Sequence, residues 1–187
     1  LNGDTLKFFQ RSSVSSVYVG KAEMKMANGE SQWVVTDKLL SKVYPSKENY
    51  GSSHPDSIID VDGNIYFWDQ RSGCPCKATS GGIFPLSGRV SSGVDATDLK
   101  MARFFESMAT KITIYPLSNV VTSYSRKFRL VMFSFIIKDD DGLVTNDSLT
   151  VAFHEPSGRW FSKYNFILSS FDMVGVKTYS LCFDPME

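Results

Sequence analysis

Histidine is nearly missing from this chain, with two in 187 residues, His54 and His154. Neither has a cysteine close by in sequence, which leaves a zinc site or a Cys-His nucleophile without its usual parts. Cysteine is scarce too. Cys74, Cys76 and Cys182 make an odd count that disfavours a disulfide framework and fits a reducing compartment. The spacing Cys74-Pro75-Cys76 lacks the two-residue gap of a zinc knuckle, so packed thiols are the expected state. Net charge is also lacking: 20 Lys and Arg balance 20 Asp and Glu, and no like-charge run advertises nucleic acid or an anionic membrane. No apolar run approaches the roughly 20 residues of a membrane helix, so no membrane insertion is expected and the chain reads as soluble. No Gly-rich phosphate loop, Ser nucleophile elbow or Cys-x-x-Cys pair occurs, and no cofactor is expected.

What is present is apolar and aromatic: 42% hydrophobic and 13% aromatic residues, enough for a sizeable core. The chain starts at Leu1 and stops at Glu187 without a terminating element, which suggests a segment of a longer polypeptide. Its organising stretch is 57–69. Two β-rich runs, Ile58 to Val61 and Ile65 to Trp68, flank Asp62-Gly63-Asn64, a tight reversal. A second turn at 69–73 and a return strand from Cys76 to Leu86, interrupted at Ser80-Gly81-Gly82, complete a meander of the kind that builds a propeller blade.

Before it, Asp4 to Gln10 and Ser13 to Val19 read as a first hairpin, broken by Gly20. Lys21 to Met26 and Ser31 to Thr36 read as a second, around Asn28-Gly29. Residues 37–41 suit a single helical turn, and Val43 to Pro55 a long loop able to contact a partner. After Ser87 the sequence predicts an inserted amphipathic helix over 96–110, with Asp95 and Asp98 at its start. Leu99, Ala102, Phe105, Met108 and Ala109 share one face, and Lys100, Arg103 and Glu106 lie off it. Six strands come after it: Ile112 to Tyr115, Ser118 to Tyr124, Phe128 to Lys138, Ser148 to Phe153, Trp160 to Phe166 and Tyr179 to Phe183. A weak repeat relates 124–128 to 183–187. The fold class expected is therefore all-β: antiparallel meanders forming part of a β-propeller, with one inserted helix.

Candidate chemistry is sparse. His154, Glu155 and Arg159 outline an acid-base cluster, but they enter a Pro-Ser-Gly turn where polar side chains are expected to face water. Asp60, Asp62 and Asp69, and the run Asp139 to Asp141, invite glycosidase or calcium readings that turn chemistry already explains. Trp33, Trp68, Trp160 and the many Phe and Tyr rings could form a sugar-stacking platform, but most are expected in the core, with Trp33 and Val35 facing inward along 31–36. The interface candidates are Tyr44, Tyr50 and His54 in the long loop, and Arg103 and Glu106 on the helix.

The succession 10–20, then 35–40, then Tyr50-Gly51 with His54-Pro55-Asp56-Ser57-Ile58, resembles large tail proteins of tailed bacteriophages. So do 64–73, 81–87, 148–155 and 159–166. The family is the propeller-bearing nozzle or muzzle protein of short-tailed phages, including crAss-like phages. The resemblance implies a non-enzymatic virion component, assembled in an infected bacterium into a homo-oligomeric ring with other tail proteins. It would surround the DNA-ejection channel, with passing contact to phage DNA. At 74–76, where that pattern expects a hydrophobic strand, Pro75 predicts an edge or a bulge. The alternative is a carbohydrate-binding or glycosidase-like propeller, with exposed aromatics grouped beside carboxylates in a concave site; a peptide-binding scaffold is a third.

Overall fold

The computed structural model describes residues 5–26, 29–87, 96–174 and 177–183, with side chains described except at 21–24, 36–39, 41, 96–99 and after 168. The described residues form an antiparallel β structure with one α-helix. Four sheets succeed one another along the chain. The first holds β1 (Thr5–Phe9), β2 (Val14–Lys25) and β3 (Ser31–Pro45). The second holds β4 (Ile59–Val61), β5 (Asn64–Asp69), β6 (Cys74–Thr79) and β7 (Gly82–Pro85). After helix α1 (Ala96–Ile114), the third holds β8 (Asn119–Ser125), β9 (Leu130–Ile136), β10 (Leu149–His154) and β11 (Arg159–Tyr164). The last pairs β12 (Ile167–Val174) with β13 (Lys177–Phe183). Within the second and third sheets each strand pairs only with its neighbours in sequence, so both are four-stranded up-and-down meanders.

The hairpin at the centre of the sequence forms, with a turn one residue shorter than expected because Asn64 already belongs to β5. Val61 pairs with Asn64, leaving Asp62 and Gly63 as a two-residue loop. Their φ values of 50° and 84° are those a type I′ turn requires, which is why Gly comes after Asp here. Asp60 Oδ1 accepts the Gly63 N–H at 2.9 Å and holds the turn closed.

Packing, more than propensity, decides the rest. Along β5, Tyr66 and Trp68 enter one core with Ile59 and Val61, and that core continues into Val120, Tyr124, Val131, Phe133 and Phe135 of the third sheet. Ile65 and Phe67, on the opposite face of β5, join Val14, Cys74, Cys76 and Ile83 in a second core, beneath the first sheet. The third sheet repeats the arrangement: its other face places Val121 and Ile136 against Ile167 of β12. The inner strands of each four-stranded meander are thus covered on both faces, by the sheet before it and the sheet after it, while Phe84 of β7 and Phe161 of β11 stay exposed on the outer strands. Helix α1 closes the first of these cores with Phe105, Met108 and Ile112.

Several sequence expectations are corrected. Gly20 does not end its strand. It takes φ 67° with open space about it, and the β2–β3 ladder shifts register between Val17 and Lys21 instead. Residues 37–41 are not helical but lie inside β3, where pairing of Leu40 with Val19 and Val43 with Val17 overrides local preference. The long loop therefore begins at Ser46, and Tyr44 belongs to a strand. Ile112 to Tyr115 is not a strand. The helix continues to Ile114 because Ile112 stands four residues after Met108 and seven after Phe105, extending the buried stripe.

Pro75 sits in an interior strand, not at an edge. Its carbonyl accepts the Leu86 N–H at 2.8 Å, so its missing N–H faces the far end of β7 and the ladder to β5 loses nothing. The return strand is two strands, β6 and β7, joined at Ser80-Gly81, and β12 had no sequence expectation. The predicted cap at Asp95 and the second copy of the weak repeat beyond Phe183 lie outside the described residues, as does the stretch 88–95.

Candidate functional site

The expectation that Glu155 simply faces water is overturned. It is the hub of a polar cluster at one end of the seam between the second and third sheets. Tyr66 Oη, from β5, donates to Glu155 Oε1 at 2.8 Å, and Tyr124 Oη, from β8, donates to Oε2 at 3.3 Å. Lys77 Nζ, from β6, lies 3.5 Å from Oε1 and 5.3 Å from the centre of the Tyr66 ring. The Glu155 N–H donates to the carbonyl of Arg129, a residue held at φ 52°. Burial pushes the Glu155 carboxyl up. The hydrogen bond from Tyr66, the Lys77 charge and the bond from Tyr124 together outweigh that and hold it below the usual carboxylate range. Burial, then the Glu155 hydrogen bond, pushes the Tyr66 phenol well up; burial, then the Glu155 charge, raises the Tyr124 phenol.

These four side chains make a clamp between two sheets. His154 is turned elsewhere, toward Ser157 at 2.9 Å, and Arg159 is exposed on β11, so the acid-base triad drawn from sequence does not assemble. The signal that could have found the clamp is Tyr at both β5 and β8 facing the same core as Val61 and Val131. The partner glutamate is 89 residues from Tyr66.

The clamp fixes a pH dependence. Glu155, depressed in the fold, stabilises above the ordinary carboxylate pKa of about 4.3, and that contribution disappears as pH falls through its folded value. The two phenols, raised in the fold, stabilise fully below about 10 and lose that contribution as pH climbs beyond it. Urea midpoints measured across pH should show Glu155→Gln flattening the acid limb and Tyr66→Phe flattening the alkaline limb. Tyr66→Phe should cost about 1–3 kcal/mol at neutral pH, because a partly buried carboxylate loses a donor. Limbs that stay unchanged in both variants would refute the clamp.

The interface candidates separate. Tyr50 and Glu106 are brought together: both line a groove of about 550 Å³ between α1 and the β5–β6 turn, with Arg71, Cys74 and Thr110. Tyr50 is half-buried against the second core, and burial raises its pKa. Arg103 is exposed on the helix, away from that groove. His54 is not a free loop contact. Its Nδ1 lies 3.1 Å from Asn119 Oδ1, Asn119 Nδ2 donates to Asp56 Oδ2 at 2.8 Å, and burial lowers the His54 pKa. The pair ties the loop to β8. Tyr44 stands with Tyr18 and Trp33 in an aromatic group on the first sheet, its ring 5.7 Å and 6.2 Å from theirs.

Asp69 is fully buried, with Oδ1 accepting the Arg71 N–H at 3.1 Å and Oδ2 without a hydrogen-bond partner; burial raises its pKa. Cys74 and Cys76 are buried free thiols with sulfurs 3.7 Å apart. Asp139 Oδ1 accepts the N–H groups of Asp141 and Leu143, so that acid run is a turn. Among the described residues no three His, Cys, Asp or Glu side chains converge as metal ligands would, and no helix is long and apolar enough to cross a membrane. Comparison with protein-family models gives no match to this sequence, and a search of curated proteins gives none.

Proposed function

We propose that this chain is a propeller segment of a short-tailed bacteriophage tail nozzle, a non-enzymatic virion part that assembles as a ring around the DNA-ejection channel. One observation carries the reading. Two complete four-stranded meanders run in series, and the inner strands of each are covered on both faces by its neighbours along the chain. Blades of a propeller stack in that way, whereas a two-layer sandwich leaves the outer face of each sheet to water.

The outer face of the first sheet supports it further. Phe8 and Val43 lie there about half exposed, on the side turned away from Val14 and the second sheet, where a further blade would pack. The sequence resemblance supplies the phage tail; of the polar groups that the sequence offers for catalysis, Glu155 is engaged in joining two sheets, and Asp60 and Asp139 hold turns. Mass spectrometry and antibody labelling of purified virions test this. The chain should be found in intact particles and labelled at the tail tip. Its absence from particles that contain capsid and portal proteins would overturn the proposal.

A further inference from the structure

The face of the first sheet that packs on the second does not stay buried along its length. Phe9 pairs with Val14, Lys7 with Ser16 and Thr5 with Tyr18, so these six side chains alternate onto one face. At Phe9 and Val14 that face is covered by Phe67 and its neighbours. Two residues further along each strand the second sheet ends in its turns, and the sheets part. The space between them is a groove of about 540 Å³, within the size range of small-ligand sites. Lys7, Ser16 and Tyr18 line one wall, and Asp62, Asn64 and Thr79 the other.

The lining is hydroxyl, amide, ammonium and carboxylate, with one aromatic ring. That ring does not stand alone: Tyr18 lies 4.1 Å from Trp33, which is 44% exposed, with Tyr44 beside both. Exposed rings next to converging donors and acceptors of both kinds are what a sugar requires. Its C–H faces lie on aromatic rings while its hydroxyls, each donor and acceptor at once, take mixed partners. Burial lowers the Lys7 pKa, opposed by the Asp60 charge, which agrees with an ammonium drawn into the groove.

We propose that this groove binds an uncharged oligosaccharide, with Tyr18 and Trp33 as the stacking surface and Lys7, Asp62 and Asn64 as hydroxyl partners. The site goes beyond the nozzle reading and does not depend on it. Saturation-transfer NMR and calorimetry with maltohexaose, cellohexaose and fully N-acetylated chitohexaose test it on the intact chain. At least one should bind at millimolar concentration or below, and its binding should perturb the fluorescence of Trp33. Tyr18→Ala and Trp33→Ala should each weaken that binding about tenfold.

Asp62→Asn provides the variant that keeps the fold, since Asn also accepts the positive φ of that turn. It should weaken binding while leaving the melting temperature unchanged, and Phe161→Ala, on the distant β11, should leave binding intact. Failure of all three oligosaccharides to bind, or binding that survives Tyr18→Ala, Trp33→Ala and Asp62→Asn, overturns the proposal.

Discussion

Gly51→Ala should destabilise the chain by about 3 kcal/mol or more, a large effect for one methyl group. A Cβ at this position would lie 2.0 Å from the Gln10 carbonyl oxygen, 2.6 Å from the Ser13 nitrogen and 2.8 Å from the Ser12 nitrogen. All three are backbone atoms of the β1–β2 turn, so no side chain can swing aside. The turn cannot yield cheaply either: Gln10 donates its N–H to the Ser13 carbonyl at 2.9 Å, and its own carbonyl accepts the Ser52 N–H at 2.8 Å. The loop would have to lift.

Lifting it loosens residues 52–57 as well, since Ser52 Oγ lies 3.1 Å from the buried Ser57 Oγ, and His54 reaches Asn119 on the third sheet. Chemical denaturation of the two proteins measures the difference. Gly81→Ala is the control, because its new Cβ would meet only the Thr79 hydroxyl at an ordinary 3.6 Å; it should fall within about 0.5 kcal/mol of the parent. A Gly51→Ala protein as stable as that control would mean the loop does not dock where it is placed.

How much was legible in the sequence depends on the range of the forces involved. The Asp62-Gly63 hairpin could be read directly because its turn chemistry is local, and the strand order of both meanders comes from short connections between β-rich runs. That residues 96–110 form a helix was likewise legible. Its end was not, since Ile112-Thr113-Ile114 carries β-branched residues at every position and only burial of Ile112 beneath the helix reveals its state. Residues 37–41 failed for the converse reason: a leucine pair flanked by charges suits a helical turn, and a long-range ladder to β2 decides otherwise.

The sites divide the same way. Tyr50 and Glu106 were both named from sequence for exposure, yet their shared groove depends on how α1 lies across the β5–β6 turn. The Glu155 clamp joins residues from three strands and a turn, and turn chemistry alone accounts for the glutamate so well that it conceals the contact. The groove beside Tyr18 was hidden by an expectation that is correct for Trp68, namely that rings on alternating strands are core. It fails for Trp33 because the first sheet outreaches the second, and relative sheet length is a property of the assembled fold.

Phe105→Ala carries the other large expected effect, a loss of about 3–5 kcal/mol, as for other buried phenylalanines cut to alanine. Phe105 is fully buried, with ring centres at 5.9 Å to Trp68 of the second sheet, 6.0 Å to Phe135 and 4.7 Å to Trp160 of the third, and 5.2 Å to its neighbour Phe104. One side chain from the helix therefore joins both meanders, and its removal leaves a void among rigid rings that cannot collapse to fill it. Taken against a total stability of roughly 5–15 kcal/mol for a domain, the loss is a substantial fraction. Arg103→Ala, exposed on the same helix, should change stability by less than about 0.5 kcal/mol. The comparison decides whether α1 is an appendage or a structural member. A helix merely inserted between two sheets would give small, similar effects for both substitutions. A helix that seals the core between them gives a large loss for Phe105 alone, accompanied by a red shift in the emission of Trp68 and Trp160 as water reaches the indoles it now covers.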